Sequence, residues 1–589
     1  MRAGRRIAFV YAPQIYYEQI YGARFVPLWA YTLASHVPES WDIAIHDCTF
    51  VDPASIPEAD LFVFSGINQD LRRISTTFAL LKRRFPKALY LLGGPITWSY
   101  EQKGRLEELP VFDHLFILDG EDSLPAFLRR LEAGGGEPEP RILRAPRFDL
   151  AKARRLRFDL LAPHVSRYYG GVVEVSRGCP FLCEFCDIRV LPDNNETHAK
   201  SIGLILEELD EYHRLGFREV QFACDNLIGD PVWAESLVDA VLAWTERTGA
   251  QVALFTWCTL NIVKFPQLMT KMRRAGFTTL FIGVESFNTN SILETAKVQN
   301  DDGRNPMSEA LRTIQSYGFI ITPGLIFGFD SDPAGMFDDM LAGVLDSGLI
   351  AGDPTFLLAL PGTPLFSRMK QAGRLVEDQV SDRSVPLHKE RVSKVESNIR
   401  YLQPRNRLVD GYSAFIREFK SPDYALSRLR RHVEILVTSP HTASSHALDY
   451  GNFPKYLRLQ LSSWGNLKML FKRAWHLARP RNLPTLLKAY LLVARHRRRH
   501  PDLANRFSLW LFFWSNLLMK YDGLKPEDFI IHSVEEDYDL GETWKFIDAK
   551  ETGLTAGGRN ADNVKVAEQQ RRTKQALQRL KASFSASPP

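Results

Sequence analysis

Short apolar runs separated by amphipathic segments fill the first 131 residues of the chain. The runs are too short for buried helices and are typical of strands in a parallel sheet. They are Ile7–Tyr11, Ile43–Asp47, Leu61–Gly66, Leu89–Pro95 and, last in the series, His114–Leu118. Helical segments between them, such as residues 27–35, predict a doubly wound parallel sheet over residues 1–135.

Small residues stand at the carboxyl ends of three of these predicted strands: Ser65, the pair Gly93 and Gly94, and Gly120. Ligands of doubly wound sheets gather at the carboxyl ends of the strands. Glycine there lets a large ligand approach the backbone closely. The same residues also suit ordinary tight turns, and both interpretations stay open.

The alternation of strand and helix resumes after a Gly-, Pro- and Arg-rich segment, residues 136–170, which is predicted to be a linker. Six apolar runs follow, each separated by helical pattern, and they predict a six-strand partial β/α barrel over residues 171–375. The runs are residues 171–175, 219–223, 252–256, 279–286, 323–330 and 355–364.

The pattern becomes mainly helical over residues 376–548, and residues 549–589 predict a flexible tail. An apolar run, Phe507–Trp514, follows the basic run Arg495–His500. This combination fits an interfacial helix that contacts anionic lipid. It equally fits a core helix with a solvated basic neighbour, and RNA stacking is a weaker third interpretation.

Composition narrows the function classes only slightly. The 589 residues are 45% hydrophobic and 24% charged with a net charge of +5, which is typical of a globular protein of two or three domains. This small net charge does not indicate nucleic-acid binding. The first apolar stretch, Ile7–Val10, is too short for a signal peptide. We therefore expect a cytoplasmic protein with reduced thiols, membrane-associated if the interfacial interpretation holds.

Three of the six cysteines are concentrated in one loop: Cys179, Cys183 and Cys186, at spacing C-x3-C-x2-C. Soft thiolates select zinc, Cu(I) or iron–sulfur clusters. Zinc would need a fourth ligand, and the other cysteines are isolated in sequence. Three packed cysteines so close together, or a disulfide in so tight a loop, fit the pattern less well. The spacing favours an iron–sulfur cluster with one iron left for a ligand.

With Ser176-Arg177-Gly178 before it, this loop resembles the signature of the radical S-adenosylmethionine (radical SAM) superfamily. The resemblance implies a [4Fe-4S] cluster on the three cysteines and S-adenosylmethionine on the open iron. The reduced cluster would cleave the sulfonium to a 5′-deoxyadenosyl radical. The residues that would contact S-adenosylmethionine are Asp225, Asn226, Glu285, Ser286, Gly324 and Gly328. A helix N-cap is the alternative role for Asn226 and Ser286.

The first domain resembles the cobalamin-binding domain that precedes many radical SAM enzymes. The motif D-x-H-x-x-G of many such domains is absent, because His46 lies four residues after Asp42 and Thr49 stands in place of the glycine. Relatives without the motif hold cobalamin with no histidine ligand. The resemblance therefore implies cobalamin as a third cofactor, contacted by Ser65, Gly93, Gly94 and Gly120.

Further segments resemble the subfamily of hopanoid methylases: residues 186–188, 283–286, 297–300 and 359–365. This implies methyl transfer to an unactivated carbon of a hydrophobic or natural-product small molecule, with an electron donor such as flavodoxin or ferredoxin. Two alternatives remain open. One is a cobalamin-independent radical SAM cyclase or rearrangement enzyme, and the other is a non-catalytic iron–sulfur protein. A nucleic-acid partner is not expected.

Overall fold

A computed structural model describes residues 5–14, 24–134, 140–300, 306–376, 395–441, 453–462 and 464–535. The described chain forms two parallel α/β units followed by a helical region. The predicted flexible tail, residues 549–589, lies outside the described residues.

The first unit is a six-strand parallel sheet with helices on both faces, as predicted. Its strands are β1 (Arg5–Tyr11), β2 (Trp41–Asp47), β3 (Leu61–Ser65), β4 (Leu89–Gly93), β5 (His114–Ile117) and β6 (Ile142–Arg144), in the order β2-β1-β3-β4-β5-β6. Its helices are α1 (Leu28–His36), α2 (Leu71–Arg84), α3 (Pro95–Gln102) and α4 (Ser123–Ala133). One apolar core lies under α2 and α3 and a second under α1 and α4.

Strand β6 corrects the prediction that the run at His114 is the last strand. It pairs in parallel with β5 inside the segment predicted to be a linker. Its three residues, Ile-Leu-Arg, are too short to show a periodic pattern. The other domain boundaries stay predictions.

The second unit is the predicted partial barrel, and its six strands follow chain order. After β7 (Gly171–Glu174), the short antiparallel strands β8 (Ser176–Arg177) and β9 (His198–Ala199) flank the cysteine loop. The barrel continues with β10 (Glu219–Ala223), β11 (Ala253–Cys258), β12 (Phe277–Glu285), β13 (Ile320–Phe327) and β14 (Asp353–Phe356), all parallel. The helices of this unit are α5 (Phe158–Leu161), α6 (Ile202–Arg214), α7 (Pro231–Thr248), α8 (Pro266–Arg274), α9 (Thr289–Glu294), α10 (Met307–Ser316), α11 (Met336–Ser347) and α12 (Pro364–Gln371).

The C-terminal region is mainly helical, as predicted. It comprises β15 (Val395–Tyr401), α13 (Arg405–Phe419), α14 (Pro422–Val437), α15 (Phe453–Leu461), α16 (Trp464–Leu477), α17 (Leu483–His496), α18 (Leu503–Lys520) and β16 (Phe529–Ser533), which pairs with β15. None of the described helices is long and apolar enough to cross a membrane.

The apolar run at residues 507–514 belongs to α18 and is a core element. Trp510 and Trp514 are buried, and their indole N–H groups donate to the carbonyl oxygens of Ala425 at 3.0 Å and Lys420 at 3.1 Å. The interfacial interpretation is therefore wrong for this segment, because its tryptophans are used to join α18 to the helices before it.

Candidate active site

The cysteine loop lies at the carboxyl end of β7, the edge where β/α barrels place their chemistry. Its backbone is tied to distant segments: the Cys179 N–H donates to the Asn194 carbonyl at 2.9 Å, and the Glu184 N–H donates to that of Thr295 at 2.8 Å. Gly178 has φ of 91°, and a Cβ there would collide with the Glu196 carbonyl oxygen. A glycine is thus required directly before the first cysteine.

The thiols of the loop are free and face hydrogen-bond donors. Burial raises the pKa of Cys179 to about 12 and also raises the pKa of Cys186. The Gln299 amide donates to Cys183 Sγ at 3.2 Å, and the Asn226 amide approaches Cys179 Sγ at 3.9 Å. Amide donors aimed at cysteine sulfurs stabilise thiolates and influence the potential of an iron–sulfur cluster. This donor set therefore fits the implied cluster.

Within the described part of the chain, no three His, Cys, Asp or Glu side chains are arranged to hold a single metal ion. In an iron–sulfur cluster, each cysteine instead binds a separate iron.

A buried charge network holds the middle of the cysteine loop. Arg368 on α12 donates to both carboxylate oxygens of Glu184, at 2.8 and 2.9 Å, and to Asp330 at 3.1 Å. Arg374 adds bonds to Asp330 at 2.6 and 2.8 Å. Burial alone would raise the pKa of Asp330, but Arg374 and Arg368 lower it to about 2. Burial and the nearby Asp330 charge raise the pKa of Glu294, the third carboxyl of the network, to about 8.

Asp225 and Asn226 follow β10 and contact the cysteine loop, and their predicted contacts with S-adenosylmethionine stay predictions. Asp225 accepts a hydrogen bond from the Gly178 N–H at 2.6 Å. Asn226 is fully buried and its side-chain oxygen accepts from the Thr259 N–H at 3.3 Å. The alternative role of Asn226 as an N-cap is wrong, because Asp230 caps α7.

Glu285 ends β12 in a strained backbone conformation with φ of 63°. Its carboxylate pairs with buried Lys297 at 2.7 Å. A Cβ at Gly283 would collide with this carboxylate, and one at Gly324 would lie 3.3 Å from its other oxygen. The two glycines therefore make room for the ion pair. The predicted ribose contact by Glu285 stays a prediction.

Ser286 and Gly328 have structural contacts of their own. The Ser286 hydroxyl accepts from the N–H of Asn288, the residue that caps α9, at 3.1 Å. Gly328 has φ of 95°, and a Cβ there would press on the Tyr401 ring at 2.5 Å. Its N–H donates to Asp332 at 2.8 Å and is not free for adenine. The cofactor contacts predicted for both residues stay predictions.

A cavity of about 340 Å³ lies at the carboxyl edge of the first sheet and reaches β7 and β8 of the barrel. All four residues predicted as cobalamin contacts line it: Ser65, Gly93, Gly94 and Gly120. Two residues that the sequence did not single out also line it. Leu118 has φ of 72°, and the buried Trp29 indole N–H has no hydrogen-bond partner among the described residues. An unpaired buried donor in a cavity wall fits a ligand rich in acceptor oxygens, such as the amide side chains of cobalamin.

His46 lies at the end of β2 and is not among the residues that line this cavity. Burial lowers its pKa. This position agrees with the absence of the cobalt-ligand motif.

Arg177 joins the cavity to the cysteine loop that begins two residues later. It pairs with Glu174 at 2.7 Å, Glu121 at 2.5 Å and Asp119 at 3.3 Å. Arg147 also pairs with Asp119, at 2.9 Å, and donates to Asn194 under the loop at 3.0 Å. The first domain is thus fixed against the barrel at the point where the cysteines begin.

A parallel partial barrel with this cysteine loop at its carboxyl edge defines a class of protein. Residues 173–342 match the model of the radical SAM superfamily, and residues 363–503 match a domain of unknown function, DUF4070. Residues 173–342 therefore form a radical SAM domain.

Among known proteins, the chain is similar to the hopanoid C-2 methylase of Rhodopseudomonas palustris, at 29% identity over 67% of this chain and 71% of the relative. The fold resembles that of OxsB, solved with aqua-cobalamin and S-adenosylmethionine, over 92% of this chain and 83% of that one, at 14% identity and a TM-score of 0.53. It also resembles TsrM from Kitasatospora setae, solved with cobalamin and a [4Fe-4S] cluster, over 63% and 75% of the two chains, at 11% identity and a TM-score of 0.51. These last two likenesses show the fold.

Proposed function

We propose that the chain is a cobalamin-dependent radical SAM methyltransferase acting on an unactivated carbon of a hydrophobic or natural-product small molecule. One observation carries the proposal. The cavity lined by Gly93, Gly94 and Gly120 extends to Arg177, two residues before the first cysteine. Methyl transfer between two cofactors needs their sites to adjoin, and the methylase relative supports this reaction class.

The residues of the chain divide between the two sites. Cys179, Cys183 and Cys186 would hold a [4Fe-4S] cluster, with Gln299 donating to one sulfur. When bound, the cluster with S-adenosylmethionine supplies a 5′-deoxyadenosyl radical, and cobalamin supplies a methyl group.

We propose that Asp225, whose carboxylate contacts the cysteine loop at Gly178, also accepts hydrogen bonds from the ammonium group of S-adenosylmethionine. Gly324 lies on the neighbouring strand β13 beside Glu285, and we propose that its backbone contacts the adenine of S-adenosylmethionine. Cluster reduction requires an electron donor, for which we propose a flavodoxin or a ferredoxin.

The test is anaerobic purification, extraction of cobalamin, and assay of 5′-deoxyadenosine after reduction in the presence of S-adenosylmethionine. We expect both cobalamin and 5′-deoxyadenosine from the native protein. Gly93→Trp should lose cobalamin and keep its iron, because a Cβ at Gly93 meets only Phe116, at 3.6 Å and beyond, and the ring would fill the cavity. Ala at all three cysteines should lose iron and product.

The other results have defined meanings. Native protein that releases 5′-deoxyadenosine but contains no cobalamin, even when cobalamin is supplied during expression, would favour the cyclase or rearrangement alternative. Native protein with a full cluster and no 5′-deoxyadenosine under any reductant would favour the non-catalytic iron–sulfur protein.

A further inference from the structure

One stretch of the C-terminal region has a charge composition unlike the rest of the chain. From Tyr450 to Pro501 the sequence contains twelve Lys and Arg residues and no Asp or Glu. The whole chain has 74 basic and 69 acidic residues, so the imbalance is local. Helices α15, α16 and α17 lie in this stretch.

Helix α16 exposes an aromatic stripe. Trp464, Phe471 and Trp475 are 78%, 65% and 70% exposed, and their spacing of seven and four residues places them on one helical face. Lys468 and Lys472 are exposed between them in sequence. Large aromatic side chains are seldom so exposed on a monomer, and a contiguous group of them marks an interaction site.

Helix α17 repeats the arrangement with aliphatic residues. Leu483, Leu487 and Tyr490 are each at least half exposed and lie on one face by the same spacing. Lys488 and Arg495 are exposed on the same helix. Ala489 and Val493, on a different face, are buried in the core shared with α14 and α18. The exposed stripe is therefore distinct from the face that holds the helix in place.

Nearby acidic residues do not neutralise these cations. Lys468, Lys472, Lys488 and Arg495 form no ion pair with any described residue. The acidic Asp522 pairs instead with Arg479 at 3.3 Å. A surface of tryptophan, leucine and unpaired lysine is complementary to a bilayer that has anionic headgroups above apolar chains.

We propose that the exposed stripes of α16 and α17, with their flanking lysines and arginines, dock the enzyme on an anionic lipid surface. The aromatic and leucine side chains enter the interface, and the cations contact the headgroups. The proposal is independent of the reaction. It moves the apolar part of the contact from residues 507–514, whose tryptophans are buried, to the exposed faces of α16 and α17, and it keeps Arg495 of the basic run.

The test is flotation of the full-length holoenzyme with vesicles, either of phosphatidylcholine alone or of equal parts phosphatidylcholine and phosphatidylglycerol. We expect binding to the anionic vesicles only, weakened by salt. Lys468→Gln with Lys472→Gln and Lys488→Gln should weaken it by roughly fivefold per charge, about a hundredfold in total. Trp464→Ser with Phe471→Ser and Trp475→Ser should abolish it.

Matched controls show whether vesicle binding depends on this surface or on the total charge and exposed apolar area of the protein. Arg72→Gln with Arg83→Gln and Lys87→Gln removes the same charge from exposed positions of the first domain. Val111→Ser with Val232→Ser removes two side chains that are each 78% exposed. Both controls should bind as the native protein does.

Three results would overturn the proposal. The first is no vesicle binding by the native protein, and the second is equal binding by native and variant proteins. The third is native protein that binds RNA or a second copy of itself but does not bind vesicles. If the α16 variants lose that binding, the surface would be assigned to RNA or to the second copy.

Discussion

Two arginines hold the cysteine loop from different sides, and they differ in how much water reaches them. Arg368 forms an ion pair with Glu184 inside the loop, and the Arg368 side chain is 2% exposed. Arg177 precedes the loop, and its side chain is 17% exposed beside the cavity. A charge buried without its partner is costly, whereas water in a cavity can hydrate carboxylates that lose theirs. The first network therefore fixes the fold of the loop, and the second ties the loop to the neighbouring cavity.

The largest expected effect comes from breaking the more buried network. Arg368→Met leaves Glu184 and Asp330 without their shared guanidinium, and the free energy of unfolding should fall by about 3–5 kcal/mol. Iron content per chain should fall as well. Denaturant titration and iron assay measure both. The matched control is Arg312→Gln, whose ion pair with Asp346 lies at the surface and should cost less than about 1 kcal/mol. Equal losses of unfolding free energy in the two variants would contradict the claim that the buried network contributes more to stability than the surface pair.

The carboxyl of Glu219 has no arginine partner among the described residues, and Glu219 therefore tests whether burial alone raises the pKa of a carboxyl in this protein. It starts β10, at the barrel edge opposite the cysteine loop, and the Tyr169 hydroxyl rather than a guanidinium donates to it. Burial raises the pKa of Glu219 from 4.5 to about 7. Because the pKa of Glu219 is higher in the folded than in the unfolded protein, the neutral carboxyl adds to the free energy of unfolding at low pH. This contribution is fully present below pH 4.5 and is lost as the pH rises through about 7.

The expected loss from this carboxyl is about 1–3 kcal/mol between pH 5 and pH 8. Thermal melts across that range should show native protein losing stability relative to Glu219→Gln, because the amide does not titrate. If the stability of the two proteins changed with pH in parallel, the pKa of Glu219 would not be raised in the folded protein.

Arg177 gives a smaller change in stability and a specific change in cofactor content. Arg177→Gln should lower the free energy of unfolding by about 1–2 kcal/mol, because the freed carboxylates border the cavity. Cobalamin content should fall while iron content stays close to native. The opposite pattern, iron lost and cobalamin kept, would show that Arg177 serves the cysteine loop instead.

The smallest expected effect tests the contact between Gln299 and Cys183. Gln299→Leu removes an amide donor from a cluster sulfur and should lower the reduction potential of the cluster by tens of millivolts, with unfolding changed by less than about 1 kcal/mol. Anaerobic redox titration measures the potential. An unchanged potential with a normal cluster would mean that the amide does not bond the sulfur in the holoprotein.

Local pattern was sufficient to predict the six barrel strands, because periodicity is a property of short segments. Small residues at strand ends are an equally local signal, and the four that the sequence singled out line one cavity, while their contact with a cofactor stays a prediction. The Glu184–Arg368 pair was missed because its partners lie 184 positions apart and neither has a local signal. Lys297 and Gln299 had one signal, since both lie in a segment that resembles the hopanoid methylases.

The apolar run at residues 507–514 shows the limit of such patterns. Hydrophobicity alone did not distinguish a core helix from an interfacial one, because both bury an apolar face. Only the tertiary partners of Trp510 and Trp514 decide it.

The central claim is that three cysteines hold a cluster with one iron open to S-adenosylmethionine. Electron paramagnetic resonance of the reduced, reconstituted protein tests it most directly. We predict a reduced [4Fe-4S] signal that changes when S-adenosylmethionine is added, and no such signal in Cys183→Ala. A native signal that S-adenosylmethionine leaves unchanged, or a full signal in Cys183→Ala, would contradict the account.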